Sequence, residues 1–206
     1  VADRCIAAEA FPRVLAELVG RIERRTRASL ERSDVPRDWR LNTCLINLYG
    51  SRLEGGRWVD TARVGDHRDF EPGPVASISL GERALLQFVG RTRRGEPAPI
   101  VLTQWLDDSS LQVFAGARWK AETLHRVQRV ERRRNELLPP EVPGFRTRRV
   151  NFTFRYVPPE HVVRFADLGS RARADVRPYV EELARSSAFF ARELERAARQ
   201  PVKAPE

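Results

Sequence analysis

Arg149-Val150-Asn151-Phe152-Thr153-Phe154-Arg155 alternates polar and apolar residues through seven positions. On an extended chain this puts Arg149, Asn151, Thr153 and Arg155 on one face and Val150, Phe152 and Phe154 on the other, the pattern of a strand half in a core. Two arginines facing one way on such a strand are costly to bury without anions. A dicarboxylate supplies two anionic ends, and a guanidinium grips a carboxylate with a planar two-point fork that lysine cannot imitate. An amphipathic edge strand with solvated arginines is the alternative that this stretch alone leaves open.

Upstream lie His125 and, much earlier, His67-Arg68-Asp69. Residues i and i+2 of an extended segment point the same way, so His67 and Asp69 can reach one ion while Arg68 points elsewhere. Two imidazoles and one carboxylate on one face of an octahedral ion leave the opposite face open, as in non-haem Fe(II) oxygenases. The third ligand has to come from a distant strand. Glu71, two residues past Asp69, falls on the same side if the segment stays extended; it then faces the open side of such an ion, or it is simply an exposed acid.

Between Leu41 and Val157 the chain breaks into short β-rich runs at 42–49, 75–80, 84–89, 99–105, 109–115 and 149–157, separated by Gly, Pro and Asp. That spacing predicts an all-β sandwich or barrel over 41–157. Gly55-Gly56 predicts a hairpin turn within 50–66, with Arg52, Arg57, Trp58 and Arg63 around it. An aromatic among arginines can stack on a base while the arginines hold phosphates; the alternative folds Trp58 back onto the sheet. Before the β region, Phe11, Val14, Leu15, Leu18, Val19 and Ile22 predict an amphipathic helix over 9–31 with Pro12 in its first turn. After it, Val176, Val180, Leu183, Phe190, Leu194 and Ala197 predict one helix over 175–199 whose stripe lapses only at Ser187. Packing of that stripe on its own chain, as a monomer, is the simplest expectation. The fold class expected is mainly β with flanking helices (α+β), in one domain over 1–206.

The composition, 41% hydrophobic and 32% charged in 206 residues, is that of one globular domain. Cys5 and Cys44 form neither a CxxC motif nor a disulfide framework, which suits a reducing, cytoplasmic setting, and Cys44 reads as a small core residue. No apolar run approaches a membrane span, and Asp3, Arg4 and Glu9 are unlike a secretory signal. The net charge of +9 points to an anionic partner such as nucleic acid. Lysine occurs only at Lys120 and Lys203, so arginine supplies 35 of the 37 basic residues and its identity at any one site carries little weight. Position carries more. Arg126, Arg129, Arg132, Arg133 and Arg134 follow His125, and Arg146 and Arg148 precede the arginine strand, predicting a basic loop beside the site or a solvated one. His161 falls outside every motif, and Trp105 and Trp119 read as core fillers.

The order of these segments resembles the AlkB family of Fe(II)/2-oxoglutarate dioxygenases. Cys44-Leu45-Ile46-Asn47-Leu48-Tyr49 is similar to its Asn-x-Tyr strand, and His67-Arg68-Asp69-Phe70-Glu71 to its His-x-Asp-x-Glu/Asp segment. Pro74-Val75-Ala76-Ser77-Ile78-Ser79-Leu80-Gly81 resembles its small-residue strand, and Arg149 to Arg155 its Arg-x-Asn-x-Thr-Phe-Arg ending, so that the likeness covers 42–157. The resemblance implies a double-stranded β-helix, the jelly-roll form. It implies His67, Asp69 and His125 as Fe(II) ligands and Asn47, Tyr49, Arg149, Asn151 and Arg155 as the 2-oxoglutarate pocket. Within that pocket Arg149 would grip the distal carboxylate with Tyr49, and Arg155 would sit near the carboxylate beside the metal. The implied reaction uses dioxygen to hydroxylate an N-methyl group, released as formaldehyde, on an N-alkylated base in single-stranded DNA or RNA. Glu71, Trp58 and Arg57 are the substrate contacts expected. The departures concern substrate: the family's repair enzymes carry a lid with aromatics, whereas 46 residues precede Asn47 and Trp39 is the sole large aromatic near that boundary. The 50–66 hairpin is the candidate replacement, and a hydroxylase or demethylase of protein or small molecules is the alternative.

Overall fold

The computed structural model describes residues 5–91, 97–128 and 137–199. Its strands are β1 (Cys5–Ile6), β2 (Thr43–Glu54), β3 (Arg57–Asp60), β4 (Val64–His67), β5 (Val75–Gly81), β6 (Ala84–Val89), β7 (Ile100–Leu106), β8 (Ser110–Phe114), β9 (Leu124–Gln128), β10 (Phe145–Arg155) and β11 (Val162–Val163). The helices are α1 (Arg13–Ser29), α2 (Ser170–Ala184) and α3 (Ala188–Arg199), with a π-helical turn at Arg118–Glu122. The chain divides into two compact units, Val1–Leu18 with Val157–Glu206, and Val19–Tyr156.

The larger unit holds two antiparallel sheets, one ordered β3-β2-β10-β5-β8 and the other β4-β9-β6-β7. This is the expected jelly roll, mainly β with helices before and after it in sequence. The arginine strand β10 is central in its sheet, so the solvated edge-strand alternative is excluded. Cross-strand partners share a face. Arg149 lies opposite Tyr49 and Gly81, Asn151 opposite Asn47 and Ser79, and Thr153 opposite Leu45 and Ser77. In the second sheet His125 of β9 lies opposite His67 of β4 and Phe88 of β6. Leu86, Phe88, Leu106 and Val127 of that sheet pack with Phe114 of the first, which joins the two layers apolar face to apolar face. Trp119 packs there too, as expected, with its ring 4.9 Å from Phe88.

β10 begins four residues earlier than its alternation predicts, because the register shifts between Thr147 and Arg149. A bulge inserts one residue and re-aims its neighbours. Arg146 and Arg148 therefore belong to the strand and not to a basic loop. Arg148 is buried with Nη1 on Ser51 Oγ at 2.8 Å and its guanidinium 3.5 Å from both Glu82 and Asp60. Arg126 likewise lies in a strand, β9, donating to Gln87 Oε1 at 3.0 Å, and Arg129 and Arg132 to Arg134 of that expected loop lie outside the described residues.

Helix α1 begins at Arg13, not 9, since Pro12 disfavours helix in the residue before it and its carbonyl accepts from Ala16 at 2.9 Å. Its Glu23 accepts from Leu41 N–H at 2.6 Å. Trp39 is no lid: it is 1% exposed, and its indole donates to Pro74 O at 3.1 Å. Trp105, read as a core filler, is instead 45% exposed on edge strand β7 under the Arg83 guanidinium. Half-buried Cys44 has its thiol pushed up to about 11 by burial.

In the smaller unit β1 and β11 pair in parallel, and Phe165, Ala166, Val180, Phe190 and Ala197 form its core. The single helix expected over 175–199 is two. Ser187, where the stripe lapses, accepts from Phe190 N–H at 3.4 Å, so its small side chain caps α3.

Gly50 of β2 faces the bulge, where an added Cβ would lie 1.8 Å from the Arg146 carbonyl oxygen. Backbone cannot yield as a flexible side chain does. Gly50→Ala should cost about 3 kcal/mol or more in urea unfolding; an unchanged midpoint would show that the strands do not meet there.

Candidate metal and cosubstrate site

Between the two sheets lies a cavity of about 260 Å³. Its polar wall is the inward face of β2 and β10, with Asn47, Tyr49, Arg149, Asn151, Thr153 and Arg155, and His67, Asp69 and His125 line it from the other side. Leu45, Leu86, Leu106, Phe114 and Val127 complete it with apolar surface that excludes water.

His67, Asp69 and His125 each offer one ligand atom, and these atoms lie within 4.8 Å of one another. Pairing of β4 with β9 brings the two imidazoles together, with ring centroids 4.1 Å apart. Asp69 follows the end of β4 and has its Oδ2 3.4 Å from His125 Nε2. His67 Nδ1 lies 2.8 Å from Gly65 O, and since a carbonyl only accepts, Nδ1 carries a proton and Nε2 is the nitrogen open to a metal. His125 is pushed down to about 4 by burial and then by His67, which keeps its imidazole neutral at pH 7. Neutral imidazoles and a carboxylate are the donor set that Fe(II) takes in non-haem sites, and His125 Nδ1 is buried with no hydrogen-bond partner.

Arg155 carries its Nη2 2.5 Å from Asp69 Oδ1 and its Nε 3.6 Å from Glu71 Oε2. Arg149 is different. It lies over the Tyr49 ring at 4.5 Å and donates through Nη2 to Ser79 Oγ and Asn151 Oδ1, each at 3.0 Å. Its Nε and Nη1 are buried without a hydrogen-bond partner. Burial pulls its pKa below the usual guanidinium value, while Tyr49 and, from beyond ion-pair distance, the Glu82 carboxylate favour its charge. Two buried charged donors without hydrogen-bond partners, facing a cavity, fit the planar two-point fork of a carboxylate.

Asn151 serves that arginine. Its Oδ1 also accepts from Ser77 and Ser79 at 2.9 and 3.2 Å, and its Nδ2 donates to Thr153 Oγ1 at 2.7 Å. The amide oxygen thus helps to hold Arg149. Ser77 and Ser79 were visible in the sequence only as a small-residue strand, and their use depends on the register of β5 against β10.

Of the expected substrate residues, Glu71 lies beside the cavity and Trp58 and Arg57 do not line it. Trp58 is 40% exposed on the β2–β3 hairpin, with the Arg146 guanidinium 4.1 Å from its ring centroid. A second, wider groove of about 650 Å³ shares Asp69 with the cavity and is lined by Arg68, Phe70, Glu71 and Lys120. Phe70, which the sequence reading passed over, is 88% exposed there.

No curated protein matches this chain. It is similar to the solved structure of OsALKBH1, at 22% identity and a TM-score of 0.42, over 71% of this chain and 66% of that one. The chain spans a little under two thirds of the length of that protein. The family model of the 2OG-Fe(II) oxygenase superfamily matches residues 4–155, which takes in every strand of both sheets in the larger unit. By that match the chain belongs to the 2OG-Fe(II) oxygenase superfamily.

Proposed function

We propose that this chain is a dioxygenase acting as an AlkB-type dealkylase, removing N-alkyl groups from bases in single-stranded DNA or RNA. The observation that carries the cosubstrate half is the pair of unpartnered, buried Arg149 donors in a cavity that also presents His67, Asp69 and His125. In this reading those three side chains hold Fe(II), which when bound supplies the activation of dioxygen coupled to oxidative decarboxylation of 2-oxoglutarate. Arg149 grips the distal carboxylate, steadied by Tyr49, Ser79 and Asn151. Arg155 holds Asp69 in place and faces the carboxylate end nearest the triad. The cavity is smaller than the roughly 300–1,000 Å³ usual for drug-sized ligands, which suits a small dicarboxylate and leaves the substrate to the groove past Asp69. There Phe70 offers a ring face and Glu71 an acceptor. The net charge of +9 favours a polyanionic partner. Among the described residues no helix is long and apolar enough to cross a membrane.

Adding Fe(II) and 2-oxoglutarate without oxygen should give a weak visible charge-transfer band that Asp69→Ala abolishes. Arg149→Ala should weaken 2-oxoglutarate by about 2–5 kcal/mol, since an unpaired carboxylate would be left buried, and Arg149→Lys should recover little. Wild-type affinity in the alanine variant would remove Arg149 from the site.

The substrate is tested by formaldehyde release from methylated oligonucleotides against methylated peptides. Binding of the oligonucleotides should fall with salt at a log-log slope of about −0.7 per phosphate contact. Glu71→Ala should spare that binding and reduce dealkylation. Release from peptides alone would transfer the assignment to protein substrates.

The neutral state of His125 has a pH signature. In the unfolded chain histidine takes up a proton near 6.5, whereas buried His125 resists until about 4. Metal-free protein should therefore lose stability as pH falls through that window, by up to about 3 kcal/mol, and should gain nothing from this group above it. His125→Gln should flatten the trend in urea unfolding between pH 7 and pH 4.5; equal trends would mean the imidazole is not held neutral.

A further inference from the structure

In a chain whose basic residues are otherwise almost all arginine, Lys120 is the one lysine among the described residues. It sits on the π-helical turn Arg118–Glu122, immediately before β9 and His125. Single π turns are rare and recur at functional sites. The Lys120 ammonium donates to the carbonyls of Glu71 and, at 2.9 Å, Gly73. No carboxylate lies within ion-pair distance of it among the described residues, so its donors are spent on backbone.

Those two carbonyls belong to the connection that carries Asp69 from β4 into β5. The same π turn grips that connection on its other side: Arg68 Nε donates to Thr123 O at 3.2 Å, and Thr123 Oγ1 turns back to Arg118 O and Trp119 O at 3.1 and 3.2 Å. Gly73 is pressed from beyond, where an added Cβ would lie 2.5 Å from Trp39 Cδ1 and 2.8 Å from Pro36 Cδ. Asp69 is thereby bracketed by bonds at positions 68, 71 and 73, all converging on a turn that leads directly into His125. A compact ammonium with three tetrahedral donors can serve two carbonyls two residues apart, whereas the flat guanidinium fork is longer and aims its donors in one plane.

We propose that Lys120 is a positioning residue that sets the distance between Asp69 and His125, and so the fit of the triad to its metal. The proposal rests on the metal reading of those three residues. Lys120 makes no hydrogen bond or ion pair with the three triad residues; its bonds go to the Glu71 and Gly73 carbonyls, and its charge reaches Asp69 and His125 only across space. Ligand-orienting partners of this kind typically govern metal affinity by about 10–100-fold.

The test is Mn(II) binding followed by the EPR signal of the free ion, together with the anaerobic Fe(II)–2-oxoglutarate band. Lys120→Met keeps the stem and deletes the donors; it should bind Mn(II) about 10–100-fold more weakly and shift or weaken the band. Lys120→Arg should restore little of either, although it restores the charge. If the methionine variant does not fold, Lys120→Gln, with a shorter amide donor, is read in the same assays and should fall between wild type and the expected loss. A folded methionine or glutamine variant that merely melts lower while binding Mn(II) within twofold of wild type overturns the proposal and leaves the metal reading intact. Wild-type protein that binds neither ion overturns both.

Discussion

Two guanidiniums enclosed between β-sheets are the constraint from which the rest of this structure follows. A buried charge without a partner is expensive, so each arginine on the inward face of β10 must be answered locally or by a ligand. Arg155 is answered by Asp69, which ties the arginine strand of one sheet to the histidines of the other. Arg148, which the bulge turns away from the cavity but leaves buried, is answered by Glu82 and Asp60. Arg149 is in direct contact only with neutral groups, a hydroxyl, an amide oxygen and the face of Tyr49, with the Glu82 carboxylate acting from farther off. A cation fixed this firmly needs little further ordering to meet an anionic ligand.

That asymmetry was partly legible in the sequence. Strict alternation from Arg149 to Arg155 specified which residues face inward, and the i, i+2 spacing of His67 and Asp69 specified that they share a side. Long-range pairing was not legible. β4 and β9 are short and hold few strong strand formers, and only their register brings His67 against His125. The bulge that turns Arg148 away from the cavity breaks the alternation on which the reading depends, so β10 was begun too late and Arg146 and Arg148 were left in a loop. Ser187 looked like a gap in one helix because a cap and a small packing residue look alike in a hydrophobic pattern.

Lys120 was invisible for a different reason. Its partners are carbonyls of the Asp69–Gly73 connection, and backbone acceptors leave no trace in residue identity. The one available signal was compositional, a lysine where the chain otherwise uses arginine. The same blindness concealed the role of Asn151: a residue matching a cosubstrate motif proved to have its amide bonded to Ser77, Ser79, Arg149 and Thr153, and its oxygen helps to hold the arginine.

Asp69 lines both the cavity and the wider groove. Anything approaching the triad through that groove passes Phe70 and Glu71 before reaching it. Phe70 keeps a large apolar ring almost wholly in water, at the end of a segment held by Lys120 and Trp39, so its exposure is imposed by a firmly bonded turn and not by a loose one. Trp58 occupies a separate surface with Arg146 already against its ring. If both contact one polymer, a strand must run from the hairpin to the groove, with stacking at each end. A ligand too short to span them engages Phe70 alone. Dependence of binding on oligonucleotide length therefore distinguishes the two aromatics: the contribution of Trp58 should emerge only beyond a minimum length, whereas that of Phe70 should be present for the shortest substrate that reacts.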